Sequence, residues 1–184
     1  GAEPPQLAPL QASLQRHIDA VGGGRFRGVL SRCHGNFHLG RVLVAQNDVI
    51  ITDFEDDPMA PGPAAQHSPL RDVARLLCSL EGAAQWSLQA AAEVELGEPR
   101  TSRALALEWL TRARRAFLGG YAEVTAGSDL FGPTLEDALP LLDLFVVEMM
   151  ACDFGAEFEY APHPDQPTAW LTRLRYQLEH GVSL

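Results

Sequence analysis

The chain has 184 residues, 46% of them hydrophobic and 21% charged, which suits one soluble domain built around one substantial core. Its formal net charge of −10 excludes a general affinity for nucleic-acid phosphates or anionic lipid. All 14 Lys and Arg positions are arginine, so this chain has no Schiff-base, phosphate-loop or ATP-anchoring lysine.

Leu7, Leu10, Leu14 and Ile18 recur at helical spacing and predict a helix over 7–20, ended by Gly22-Gly23-Gly24. Gly28-Val29-Leu30 reads as a short strand leading into Cys33-His34-Gly35-Asn36-Phe37-His38-Leu39-Gly40-Arg41. Val42–Ala45 and Val49–Ile51, separated by Gln46-Asn47-Asp48, predict a hairpin. A hairpin returns the chain to its starting end, so Asp53 is expected beside the 36–41 loop. Pro58 to Pro63 is too proline-broken for regular structure.

The remainder reads as four helices. One starts at Ser68-Pro69, a cap followed by proline at the first helical position, and carries Arg71, Asp72, Leu76, Leu77 and Leu80. A second runs from Thr101 to Tyr121, with Leu105, Leu110, Phe117 and Tyr121 on its apolar face. A third opens at Thr134 and is apolar enough to be central, carrying Leu135, Leu139, Leu142, Phe145, Val146 and Met149. Pro140, Asp143 and Glu148 interrupt its run, so it does not read as a membrane span. The last, Thr168 to His180, ends at Gly181 as a helix C-terminus should.

Cys33, Cys78 and Cys152 are far apart, odd in number and without a C-x-x-C pair, so neither a zinc knuckle nor a disulfide framework is expected. A reducing cytoplasm is the expected setting. The chain starts at Gly1, shows no signal-peptide pattern, and reads as part of something longer.

A loop, a returning hairpin and an Asp together supply what phosphoryl transfer asks of a protein: an aligned acceptor, a nearby base and metal ligands. Three blocks carry a family resemblance. They are His34-Gly35-Asn36-x-His38-Leu39-Gly40-Arg41-x-Leu43, Asp53-Phe54-Glu55-x-x-Pro58, and Ser68-Pro69-Leu70-Arg71-Asp72-Val73-Ala74. In order and spacing they resemble the C-terminal lobe of bacterial maltokinases, aminoglycoside-phosphotransferase-like kinases often fused to trehalose synthase. The resemblance implies an α+β, mainly α fold: the C-terminal lobe of a protein-kinase-like fold with a small hairpin, forming one domain over 1–184. It implies Mg2+ and ATP as cofactors, and maltose or another sugar as acceptor. The N-terminal kinase lobe, and trehalose synthase in the full-length protein, are the implied partners.

Carried over by position, Asn36 takes the place of the catalytic Asp base and Arg41 that of a Gln that helps hold magnesium. Asp53 matches the metal-binding Asp, His34 belongs to the catalytic loop, and Asp72 supports that loop from a helix. Gln66 stands where the family has Lys. Asp153 and Glu157 fall in the acceptor-binding segment, where Cys152 and Ala156 replace two tyrosines.

Asn36 can orient a hydroxyl but cannot take its proton, and general base catalysis contributes typically ~10²–10⁴-fold. Arg41 beside a metal meets repulsion of roughly 4 kcal/mol per unit metal charge at 4 Å and a surface-like dielectric. Three functions follow: a degenerate, pseudokinase-like lobe, which these substitutions favour; a lobe active once joined to its N-lobe and trehalose synthase; or a helical interaction module. Plainer readings stand beside the motif. His34 and His38 make loop hydrogen bonds rather than a metal pair, and Glu55, Asp56 and Asp57 form a solvated acidic turn. Trp86, Trp109 and Trp170 pack in a core or interface rather than form a sugar platform, and Cys33 and His34 diverge as neighbours do.

Overall fold

The structure, a computed structural model, describes residues 7–23, 28–46, 48–54, 66–94, 99–160 and 166–182. The acidic turn at 55–57 and the proline segment 58–63 lie outside them. The chain divides into two compact units, Gly1–Val29 with Gly127–Ser183, and Leu30–Ala126. Among the described residues no helix is long and apolar enough to cross a membrane.

The first unit packs three helices on one another: α1 (Leu7–Gly23), α4 (Leu139–Tyr160) and α5 (Gln166–His180). Leu10 is buried on α1, whereas Ile18, placed on the same face by its spacing, is exposed. Thr134 starts the path into α4 by accepting from the Asp137 amide at 3.1 Å and donating to the Asp137 carboxylate at 2.7 Å. That reciprocal cap holds a single 3-10 turn, Glu136–Ala138, from which α4 runs on directly. Leu135, Ala138, Leu142, Val146 and Met150 are buried, which makes α4 the centre of this unit. Trp170 belongs to the packing: its indole N–H donates to the Met150 carbonyl at 3.1 Å and its ring lies 4.7 Å from Phe154. Gly28 lies too close to the Leu130–Phe131 backbone for a side chain, since a Cβ there would stand 2.9 Å from the Leu130 carbonyl oxygen.

The second unit is built on α2 (Leu70–Glu93), with α3 (Pro99–Thr125) packed along it. Leu70, Val73, Ala74, Leu77, Leu80 and Ala84 are buried at the three- and four-residue spacing of a single helix face. Each large one contributes about 1.5–3 kcal/mol relative to exposure. Ser68 Oγ accepts the Leu70 amide at 3.4 Å, but the N-cap is Pro69 and the helix begins at Leu70, one residue later than its sequence suggests. On α3, Leu118 is buried and Leu105 exposed, so the apolar face predicted from Leu105 is shifted. Trp86 is 72% exposed and Trp109 is exposed as well, so neither is a core residue.

Two small antiparallel ladders complete this unit. Strand β2 (Val42–Ala45) pairs with β3 (Asp48–Ile51), Val42 opposite Ile51 and Ala45 opposite Asp48. Asp48 is thus a strand residue rather than part of the turn. Strand β1 (Ser31–Arg32) pairs with β4 (Gln66–His67). The strand expected at Gly28–Leu30 is displaced to Ser31, because Val29 gives its amide to the Leu130 carbonyl at 3.1 Å instead.

Candidate active-site loop

The segment from Cys33 to Arg41 is held from α2 at two levels. Asp72 Oδ2 accepts the His34 amide at 2.6 Å, and Oδ1 accepts the Gly35 amide at 3.1 Å. Ser79 Oγ accepts the Leu39 amide at 3.0 Å. Residues seven apart fall on one helix face, two turns and about 10 Å along the axis, so one stripe of α2 fixes both ends of the loop. Asp72 takes a supporting place in the loop by resemblance; Ser79 goes unnoticed in the sequence, although its i+7 spacing from Asp72 is the available signal. Gly35 has φ 88°, a conformation open to glycine at no steric cost.

His34 is buried and joins three parts of the site. Its Nε2–H donates to the Thr52 carbonyl at 2.9 Å, and its Nδ1 accepts the Asn36 amide at 3.4 Å. Its ring stacks on Phe54 at 4.7 Å and tilts against Phe37 at 5.5 Å. His38 Nδ1 accepts the Gly40 amide at 3.1 Å, capping the 3-10 turn Leu39–Arg41 that opens into β2. His38 is thus engaged within the loop, and His34 ties the loop to the hairpin root.

The hairpin carries Asp53 back to Arg41. One step beyond the Val42–Ile51 pair, the Thr52 amide donates to the Arg41 carbonyl at 2.9 Å. There the Arg41 guanidinium donates through one terminal nitrogen to Asp53 Oδ2, forming a short ion pair. Arg41 is 25% and Asp53 56% exposed at the side chain. Asp53 has φ 57°, a left-handed conformation uncommon outside glycine but one that Asp adopts more readily than most residues.

Beside the loop lies a cavity of about 660 Å³, lined among others by Cys33, Phe37, Phe54, Asp72, Phe117 and Tyr121. Burial pushes the Tyr121 hydroxyl up to about 12, with Cys33 and Asp72 adding to the effect. Burial likewise raises the Cys33 thiol, which donates to the Ser31 and His67 carbonyls, each at 3.4 Å. A protonated, hydrogen-bonded thiol of this kind is a poor nucleophile.

The loop thus gathers His34, Asn36, Arg41, Asp53 and Asp72 in one unit. Asp153, half-buried on α4, and Glu157, whose side chain lies outside the described residues, belong to the other. Chemically the loop can position a hydroxyl, since Asn36 is half-buried within a braced framework. Its proton acceptors are otherwise engaged: Asp72 by backbone amides, His34 by its own two bonds, Asp53 by Arg41.

No family model matches the chain. A curated glucosamine kinase of Streptacidiphilus jiangxiensis is 30% identical over 143 residues, 73% of this chain and 30% of that protein. Two crystal forms of a glucosamine kinase overlay 96% of the chain with TM-scores of 0.62 and 0.63 at 22% identity. The fold is sugar-kinase-like. A glucosamine kinase solved with glucosamine, ADP and inorganic phosphate overlays 94% of the chain with a TM-score of 0.61 at 24% identity. The chain spans 30% of the curated relative's length and 37–41% of the solved proteins'.

A sugar-kinase fold raises the question of magnesium, which asks for a near-octahedral set of oxygens. Among the described residues no group of three or more His, Cys, Asp or Glu could hold a metal ion. Among the described residues Asp53 is the carboxylate at the hairpin base, and it faces a guanidinium. As folded, this donor set does not fit a divalent cation.

Proposed function

We propose that this chain is the C-terminal lobe of a maltokinase-like sugar phosphotransferase, with the loop's framework retained and its chemistry largely lost. It is a pseudokinase-like lobe that binds or scaffolds a sugar-kinase assembly in carbohydrate metabolism. The observation that carries this reading is the Arg41–Asp53 ion pair at the base of a loop whose base position is Asn36. A phosphotransferase needs a free carboxylate to gather metal and phosphate, and here that carboxylate is neutralised from within the chain. The rest of the protein would supply the nucleotide-binding lobe, and fusion to trehalose synthase fits the maltokinase resemblance. Three cysteines without disulfides suit a reducing cytoplasm.

A second reading, an active sugar kinase once the lobe is joined to the rest of its protein, is favoured by the intact Asp72 brace. The full-length protein assayed for ATP-dependent phosphorylation of glucosamine and of maltose separates the two. The pseudokinase reading expects turnover on both sugars at least ~10²-fold below an ordinary sugar kinase, the lower end of what a general base supplies. Turnover at the ordinary level on either sugar would sink it. The double variant Asn36→Asp, Arg41→Gln is expected to raise activity, since it restores both the base and a neutral metal-side ligand.

A further inference from the structure

We infer that the cavity beside the loop is a binding site for a small, planar, uncharged aromatic compound. Binding alone is at issue, whatever phosphotransfer the lobe retains.

The cavity measures about 660 Å³, within the ~300–1,000 Å³ usual for small-ligand sites. Rings reach its wall from two separate parts of the chain. Phe37 and Phe54 come from the loop and from just past the hairpin, their rings 5.5 and 4.7 Å from that of His34. Phe117 and Tyr121 come from α3, four residues apart and so on one helix face, with ring centroids 6.0 Å from each other. Phe54 remains 62% exposed although it stacks on His34, so ring surface is left for a ligand to cover. Asn36, Arg41 and Asp53 are not on this wall. The cavity is therefore distinct from the positions that resemble a base and metal ligands.

The polar groups on the wall decide the class of ligand. Asp72 spends its two oxygens on the His34 and Gly35 amides. The Cys33 thiol donates to the Ser31 and His67 carbonyls. A sugar seated here would press its hydroxyls against rings and against groups already engaged, and each hydroxyl left unpaired carries its full desolvation penalty. An anion fares no better, because it would lie near the Asp72 carboxylate, while burial holds the Cys33 thiol and the Tyr121 hydroxyl in their uncharged forms. Arg32, also on the wall, is exposed, so water and salt screen its charge. A planar uncharged ring gives up little hydration on entry and gains stacked or edge-to-face contacts with the wall.

The test uses the 184-residue chain labelled for NMR, titrated separately at pH 7 with indole, indole-3-acetate and maltose. Indole is expected to shift the amides of Phe37, Phe54, Phe117 and Tyr121 along saturable curves that share one dissociation constant. Indole-3-acetate carries a similar ring with a negative charge and is expected to bind at least about tenfold more weakly. Maltose is expected to leave all four amides unmoved. Phe117→Leu keeps an apolar wall but removes a ring, and should weaken indole about threefold to tenfold. Phe37→Leu makes the same change on the loop side and should weaken indole to a similar degree, even where the α3 variant fails to fold. Trp86→Ala removes a large exposed ring that is not on the wall and should leave the constant unchanged. Indole shifts that do not saturate, or that fall equally on exposed residues such as Val44 and Trp86, would overturn the inference. So would indole-3-acetate or maltose binding at these amides as tightly as indole. Turnover is not measured, so the pseudokinase reading stands or falls by its own assay.

Discussion

At the level of single residues, Asp72 shows how one carboxylate can hold a loop in place through backbone amides alone. Its two oxygens take consecutive amides, His34 and Gly35, at 2.6 and 3.1 Å. Hydrogen bonds to a charged group contribute about 1.5–3 kcal/mol each, and an orphaned buried amide costs about 1–3 kcal/mol. Asp72→Ala is therefore expected to free the loop, with hydrogen exchange at the His34 and Gly35 amides accelerated at least about tenfold, corresponding to 1.4 kcal/mol. Asp72→Asn offers one carbonyl oxygen in place of two charged ones and should fall between. Equal protection in all three proteins would show that the loop is held by something else. Position 36 makes the opposite point on the proposed reading, in which Asn stands where the resembled family has a carboxylate. An Asn is nearly the shape of an Asp but cannot take a proton as a carboxylate does.

The hairpin β2–β3 poses the question of how a small element survives. Two strands alone are marginal in water, and Leu43, Val44, Val49 and Ile50 are all exposed. The anchoring lies at the root, where the Thr52 amide reaches Arg41 and His34 Nε2–H reaches the Thr52 carbonyl. His34→Ala removes that second bond and the stack on Phe54. Amides of 42–51 are expected to exchange about tenfold faster, with those of α2 unchanged. Comparable loss of protection along α2 would mean that His34 supports the unit rather than the hairpin. This hairpin was legible in the sequence because β-branched runs flank a turn. The Ser31–Arg32 ladder was not, since two-residue strands carry no period and the partners lie well over 30 positions away. Helices were legible by period and caps, with ends displaced by a few residues where glycine or proline tolerated continuation. In the site, the meeting of Arg41 with Asp53 follows from hairpin return, which the sequence implies, but their direct pairing depends on side-chain reach, which it does not. Ser79 was hidden because a serine on a helix has many uses, and only the folded loop shows which one applies.

Across the whole chain, a formal charge of −10 makes acid behaviour a property of the molecule and not only of its sites, and Asp143 is where the two meet. In the three-helix unit its Oδ1 accepts Gln177 Nε2–H at 3.1 Å and the Val182 amide at 2.6 Å. Gly181, with φ 63°, ends α5 against the same carboxylate, which a Cβ at that position would meet at 2.9 Å. Burial pushes the Asp143 carboxyl above its ordinary value, opposed by the Val182 amide, by His17 on α1 and by Gln177. The sign follows from linkage. In the window between the ordinary carboxyl value and the raised one, the folded chain holds the proton more tightly than the unfolded chain. Stability therefore falls as pH rises through that window, and the charged form remains costly above it. Asp143→Asn keeps a carbonyl to receive both donors and carries no charge to bury. It is expected to unfold at higher urea than the unaltered chain at pH 7, and at similar urea below the ordinary carboxyl value. Asp143→Ala leaves Gln177 and the Val182 amide without their acceptor and should lose about 1–3 kcal/mol at every pH. Exposed Asp129→Asn removes the same unit of net charge without the burial, so it controls for relief of general repulsion. Urea midpoints of α4 and α5 amides, followed from pH 3 to pH 8, check all three. A Asp143→Asn protein less stable than the unaltered chain at neutral pH would mean that the attraction to His17 outweighs burial.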